Sequence, residues 1–228
     1  VQYKFWYSFL FILFAMATIN GFLRFYNLVN NYDNLLTKKT HIPQTTNLYL
    51  DLNCAIHYCC REVLKDNPFQ KSKQSILEHK MILNVIKYIE LLVDYAQPQE
   101  LLFIAIDGPA PKAKMVQQRQ RRFKKFYEKK HTEEIKNRHQ DNVDTTEEWD
   151  TNAITPGTLF MNKLSVTLKK NVIQNPKLKH LQIVISDSNI PGEGEHKLLQ
   201  HMKEKQSQTD SEAINVIYGL DADLIMLC

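Results

Sequence analysis

The sequence predicts an α/β fold, a parallel sheet flanked by helices on both faces. Four short apolar runs of strand length recur along the chain: Leu48–Leu52, Leu101–Ile106, Leu181–Ile185 and Ile214–Tyr218. Longer segments separate them, with apolar residues at helical spacing. Strands that alternate with helices feed a parallel sheet, whose strands are buried on both faces and read as continuous apolar runs. At 228 residues, 43% hydrophobic and 24% charged, the chain is long enough for a real core and has an ordinary globular composition, which argues against disorder.

The elements follow in order. After the first strand, Cys54–Lys65 reads as a helix. Ser75–Ala96 carries Ile76, Leu77, Met81, Ile82, Val85, Ile86, Ile89, Leu92 and Val93 at helical spacing, and Pro98 ends it. The second strand runs into a Gly108-Pro109-Ala110-Pro111 turn. Lys112 to about Arg138 is predicted as one long helix, followed by a polar, acidic loop to about Asn152. Thr155-Pro156 marks the next helix start, with Pro at the first helical position, and that helix runs to about Gln174. Glu193–Lys205 is the helix between the third and fourth strands. No internal repeat or low-complexity tract is present.

The net charge of +4 is modest, but its distribution is not even. Between Lys112 and Lys130 nine basic residues face one acid, Glu128, and the stretch Glu133–Asp150 holds seven acids. The sum therefore hides a local electropositive face. The four cysteines, Cys54, Cys59, Cys60 and Cys228, form neither a disulfide framework nor a spaced pair of pairs for zinc. Cys54, His57 and Cys59 as ligands is the weaker reading; a buried helix face in a reducing compartment is the stronger. At the amino terminus, Phe5–Leu23 is an uncharged apolar run just long enough to span a bilayer, and Ala15-Met16-Ala17 resembles a signal cleavage site. A signal or anchor, a buried helix and a translated upstream extension are the three readings of it.

Ligands of parallel α/β sheets sit outside the carboxyl ends of the strands. Here the first, second and fourth strands lead to Asp51, Asp107 and the pair Asp221 and Asp223, while Ile190-Pro191-Gly192-Glu193-Gly194-Glu195 follows the third. A lone strand-end Asp is usually a cap or turn former. Six acids from four places point instead to an oxygen-lined site for hard divalent cations of the kind used in phosphoryl chemistry. Asp221 and Asp223, two apart, point the same way in an extended segment, and Glu193 and Glu195 flank a glycine that would let the backbone approach a phosphate. The bland reading of Glu193 is charge complementarity at a helix amino terminus. Asp187, in Ser-Asp-Ser-Asn, reads as a turn residue. Lys114, Gln118, Arg121 and Arg122 lie near one face of the basic helix at three- and four-residue spacing and could clamp a phosphate. A solvated face and a nuclear-targeting run are the duller readings of the same block. Acids for metal beside a basic block for a polyanion make a metal-dependent nuclease the first hypothesis.

Five stretches then resemble the amino-terminal catalytic region of the XRN-type 5′→3′ exoribonucleases. They are Leu-Tyr-Leu-Asp-Leu-Asn-Cys-Ala-Ile-His (48–57), Ala-Ile-Asp-Gly-Pro-Ala-Pro-Lys-Ala-Lys-Met-Val-Gln-Gln-Arg-Gln-Arg-Arg-Phe (105–123), Asn-Ala-Ile-Thr-Pro-Gly-Thr-Leu-Phe-Met (152–161), Ile-Pro-Gly-Glu-Gly-Glu-His-Lys (190–197) and Tyr-Gly-Leu-Asp-Ala-Asp-Leu-Ile-Met-Leu (218–227). The resemblance covers about residues 21–228 and implies a PIN-like, flap-endonuclease-like nuclease fold, with residues 1–20 as an extension of unsettled status. It implies processive, Mg²⁺-dependent (or Mn²⁺-dependent) hydrolysis of single-stranded RNA from a 5′-monophosphate end, releasing mononucleotides, with a pair of metal ions. By motif, Asp51, Asp107, Glu193, Glu195, Asp221 and Asp223 are the metal-binding, catalytic acids. Lys114, Gln118, Arg121 and Arg122 form the 5′-phosphate pocket, and His57 stacks on the terminal base. The family continues past the last motif with another metal-binding Asp and a region that closes the site, so the chain is expected to be an amino-terminal piece that can be inactive alone. An intracellular location, cytoplasmic or nuclear, follows from the resemblance, and membrane contact through residues 5–23 is disfavoured. The rivals are an RNA-binding module without catalysis and a flap or 5′ DNA nuclease.

Overall fold

The computed structural model describes residues 44–138, 149–206, 213–219 and 224. The apolar run 5–23, the expected boundary at residue 20, and Cys228, Asp221 and Asp223 lie outside these residues. Strands β1 (Asn47–Asp51), β2 (Leu101–Ala105), β3 (Gln182–Ser186) and β4 (Asn215–Tyr218) form one sheet in the order β3-β2-β1-β4, every pair parallel. The chain steps outward from β1 to β2 to β3 and then crosses to the far side of β1 for β4. The order therefore reverses between β1 and β4, and a crevice opens at the carboxyl ends of such a pair.

Helices α1 (Asn53–Asp66) and α2 (Gln74–Ala96) connect β1 to β2; α3 (Lys112–Arg138) and α4 (Leu159–Gln174) connect β2 to β3; α5 (Gly194–Gln206) precedes β4. Both faces of the sheet are covered. Tyr49, Leu101, Phe103 and Ala105 form a buried cluster with Leu198 of α5. The alternate residues Leu48, Leu50, Leu102 and Ile104, each at most 2% exposed, point to the other face by strand alternation. There α2 reaches the sheet: the hydroxyls of Tyr88 and Tyr218 hydrogen-bond at 2.7 Å. α1 and α4 both pack on α2. Along α2 the buried residues run Leu77, Met81, Ile82, Val85, Ile86, Ile89 and Val93, whereas Ile76 is exposed. Gln97 ends the helix in the left-handed region (φ 46°), ahead of Pro98. Cys59 and Cys60 lie buried on α1 and Cys54 is half-buried; burial pushes the two buried thiols up to about 11 and about 12, as expected of core cysteines.

One expected boundary is wrong. The helix predicted from Thr155-Pro156 begins at Leu159, with the Thr158 hydroxyl accepting from the Met161 N–H at 3.3 Å. Gly157 has φ +87°, a left-handed conformation that no helix continues, so Pro156-Gly157 forms a turn and Thr158 becomes the cap. The preceding segment also differs from a simple polar loop. Trp149 is buried edge-on against Phe160, ring centroids 5.3 Å apart.

Trp149 belongs to a polar knot around Glu78, which is 6% exposed and takes hydrogen bonds from Gln74 (2.8 Å) and Lys163 (2.9 Å). Burial by itself raises the Glu78 pKa, but the bonds from Gln74, Lys163 and Trp149 and the Lys163 charge outweigh it and hold the carboxyl below its ordinary 4.5. A carboxyl depressed on folding contributes stability that is present above the unfolded value and lost as pH falls through the folded one. Thermal melts are therefore expected to drop as pH is lowered below about 4.5. Glu78→Gln should flatten part of that drop while costing about 1–3 kcal/mol at neutral pH, because buried donors lose a charged acceptor. A melt-versus-pH curve unchanged in the variant would refute this.

Candidate active site

The acids collect where the strands end because the sheet is parallel and every connection returns on the same side. Asp51 is the last residue of β1, 9% exposed. Asp107 lies two residues past β2, where the Ile106 N–H still donates to Ser186 at 2.9 Å before the chain turns away. Glu193 and Glu195 flank Gly194, the first residue of α5, and Glu195 sits in the first turn. Lys197 N–H donates to the Glu193 carbonyl (3.1 Å) and closes that turn. The loop ahead of it needs Gly192, whose φ is +111°.

Gly194 brings these elements together. A Cβ added there would lie 2.6 Å from Asp51 Oδ1 and 3.4 Å from Asp107 Oδ1, so the carboxylates of β1 and β2 converge on the bare backbone of α5. Its N–H donates to Asp107 Oδ1 at 2.6 Å. The bare Cα between the two glutamates is what admits this pair of carboxylates. At the end of β4, a Cβ on Gly219 would lie 3.5 Å from the Cβ of Asp51, so the strand that leads to Asp221 and Asp223 ends beside Asp51.

Burial, reinforced by the negative charge of Glu193, raises the Asp107 pKa; the Gly194 N–H and the Lys197 and Lys114 charges only partly oppose it. Ligand oxygens of Glu193 and Glu195 and a ring nitrogen of His196 lie within 4.8 Å of one another. Crowded carboxylates that repel one another, with oxygen the dominant donor, fit a hard divalent cation: Asp51, Asp107, Glu193 and Glu195 could hold it.

The basic helix reaches this cluster at its amino-terminal end. Lys114 Nζ lies 3.3 Å from Glu193 Oε2. Gln118 is half-covered and Arg121 exposed, while Arg122 donates to the Thr155 hydroxyl at 3.0 Å, in the turn before α4. No described side chain of α3 is buried. His57 is half-buried on α1, and its carbonyl accepts from Arg61 Nε (3.3 Å). Asp187 keeps its turn role, accepting from the Asn189 N–H at 3.0 Å, and also binds Lys169 at 2.6 Å.

Two residues of the site had no role in the sequence reading. Asn53 clasps Asp107 from both sides: its amide Nδ2–H donates to Asp107 Oδ2, and its Oδ1 accepts the Asp107 N–H at 3.3 Å. An Asn two positions after a strand-end Asp was the available signal. Lys197 is 8% exposed and donates to the Ile106 carbonyl at 2.7 Å and the Asp187 carbonyl at 3.0 Å. Its place at the end of the 190–197 block was the available signal; helical spacing alone does not tell it from a solvated lysine.

Over residues 17–228 the chain matches the family model described as XRN 5'-3' exonuclease N-terminus. It is 40% identical over 201 residues to the 5'-3' exoribonuclease 2 of Cryptococcus neoformans var. neoformans serotype D (strain JEC21 / ATCC MYA-565), a match covering 81% of this chain and 17% of the relative. It is similar to the 5'-3' exoribonuclease 2 of Eremothecium gossypii (40% over 198 residues; 79% of this chain, 20% of the relative) and of Emericella nidulans (39% over 201 residues; 79% and 19%). The chain thus spans about a fifth of the length of these curated relatives.

Proposed function

The chain belongs to the XRN 5'-3' exonuclease family, and from that membership we propose that it serves 5′→3′ degradation of single-stranded RNA bearing a 5′-monophosphate, by metal-dependent hydrolysis that releases mononucleotides. The observation that carries this reading is the contact of Lys114 with Glu193, which puts the start of the basic helix against the carboxylate cluster. A terminal phosphate drawn by that helix would sit beside the acids.

Bound among the carboxylates, Mg²⁺ or Mn²⁺ would supply an activated water and stabilise the leaving oxygen of an in-line displacement. The chain's own residues do the rest. Asp51, Asp107, Glu193 and Glu195, with Asp221 and Asp223, hold the cations. Gly194 N–H and Asn53 orient the Asp107 carboxylate. Lys114, Gln118, Arg121 and Arg122 receive the 5′-phosphate, where a cap would not fit, and His57 offers an imidazole face to the terminal base. RNA decay of this kind belongs in the cytoplasm or nucleus, and among the described residues no helix is long and apolar enough to cross a membrane.

The test is product analysis with Mg²⁺ and matched single-stranded RNAs carrying a 5′-monophosphate, a 5′-hydroxyl or a cap. Mononucleotide release from the monophosphate end alone, abolished by chelation, is expected. Equal release from the hydroxyl end would sink the pocket assignment. Mg²⁺-dependent binding without cleavage would favour an RNA-binding role for this chain.

A further inference from the structure

We propose that Lys197 is a positioning residue, whose ammonium sets Asp107 and the Glu193 loop in register and so determines how tightly the acid cluster binds a divalent cation; the metal half of this rests on the function proposed above. The β2–β3 ladder ends where Ile106 N–H meets the Ser186 carbonyl. The next carbonyls on the two strands, those of Ile106 and Asp187, both accept from Lys197 Nζ, at 2.7 and 3.0 Å. One side chain of α5 thus adds a further rung to the sheet, immediately behind Asp107.

The same side chain supports the loop ahead of its own helix. Its methylenes lie in van der Waals contact with the space beside Gly192, 3.7 Å from where a Cβ would stand. Gly192 and the turn after Asp107 are cross-linked, with Gly108 N–H donating to the Gly192 carbonyl (2.9 Å) and Gly192 N–H to the Pro109 carbonyl (3.1 Å). Gly108 packs so closely on the Ile190 carbonyl, with the ammonium 3.3 Å from where its Cβ would be, that no other side chain could enter. The end of β2, the end of β3 and the loop before α5 therefore meet on one buried cation. Burying a lysine is expensive, and the hydrogen-bond acceptors recorded for this one among the described residues are two carbonyls of the backbone that aims the acids. Groups behind metal ligands typically govern affinity by about 10–100-fold.

The test compares the wild-type chain with Lys197→Met, which keeps most of the stem and removes the ammonium, and with Leu198→Ala, a fully buried neighbour on the same helix that belongs to the apolar cluster of Tyr49, Phe103 and Ala105. Three quantities are measured: Mn²⁺ affinity, melting temperature, and metal-free amide exchange at Gly108, Gly192 and Gly194. Lys197→Met is expected to weaken Mn²⁺ binding by about 10–100-fold and to speed exchange selectively at these three amides. Lys197→Arg, which retains a cationic donor, should recover part of both. Leu198→Ala should melt at least as early, yet keep Mn²⁺ affinity within about twofold and show no selective change at the three amides. If Lys197→Met does not fold, Lys197→Gln carries the same comparison. Exchange and affinity no different from those of Leu198→Ala would overturn the proposal. Selective loosening in a chain whose wild type binds no Mn²⁺ would uphold the positioning role and sink the nuclease reading.

Discussion

Asp107→Asn is expected to lower RNA hydrolysis on the order of 10²–10³-fold, the usual scale for removing one preorganised charge from a reacting centre, while RNA binding stays within a few-fold. Asp107 is the acid whose surroundings are best defined. The substitution removes the charge that Glu193 already opposes and keeps an oxygen for the Gly194 N–H. The side chain of Asn53, which donates to Asp107 Oδ2, would then face a second amide, so a stability loss of about 1–3 kcal/mol accompanies it. Hydrolysis and binding assayed side by side, with a melt of the variant, separate the outcomes. Binding that collapses in proportion to activity would mean that the acids hold the fold rather than the chemistry.

Gly194→Ala should be nearly as damaging although it removes no charge. The new Cβ would stand 2.6 Å from Asp51 Oδ1, a separation that real Cβ atoms do not tolerate, and 3.4 Å from Asp107 Oδ1. Asp51 is buried at the end of β1, so it cannot swing away freely, and either its carboxylate or the start of α5 must move. Misplacement of a reacting constellation by about 1 Å costs about 10²-fold in rate. A loss of that size is expected, together with weaker divalent binding. Helix propensity alone would favour alanine over glycine, so a variant that is more stable and fully active would show that the three elements do not converge as described.

Most of the scaffold is legible in the residues. The four strands were predicted within a residue of β1 to β4, and α1, α2, α3 and α5 began and ended almost where their patterns said. Continuous apolar runs and helical spacing are local signals of burial, and strands buried on both faces are characteristic of parallel sheets covered by helices. The start of α4 was misread because Pro156 is a good first helical residue only if its neighbour can continue the helix, and Gly157 does not. Trp149 was lost in a polar stretch because its partners, Phe160 and Glu78, are distant in sequence.

The sequence alone put Asp51, Asp107, Glu193 and Glu195 at the carboxyl edge of the sheet, where the structure has them, because strand-end position is a one-dimensional property and parallel connections all return to the same side. It also placed the basic residues on a helix. Only the tertiary structure decided how these parts meet: that Gly194 is bare to admit Asp51 and Asp107, that Asn53 clasps Asp107, that Lys114 reaches Glu193, and that Lys197 is a buried strut rather than a surface charge. Each of these is a contact between different elements, set by the strand order β3-β2-β1-β4 and by the packing of α5 across β1 and β2. A side chain's partner across such a gap leaves no periodicity in the chain, so only the assembled sheet specifies it.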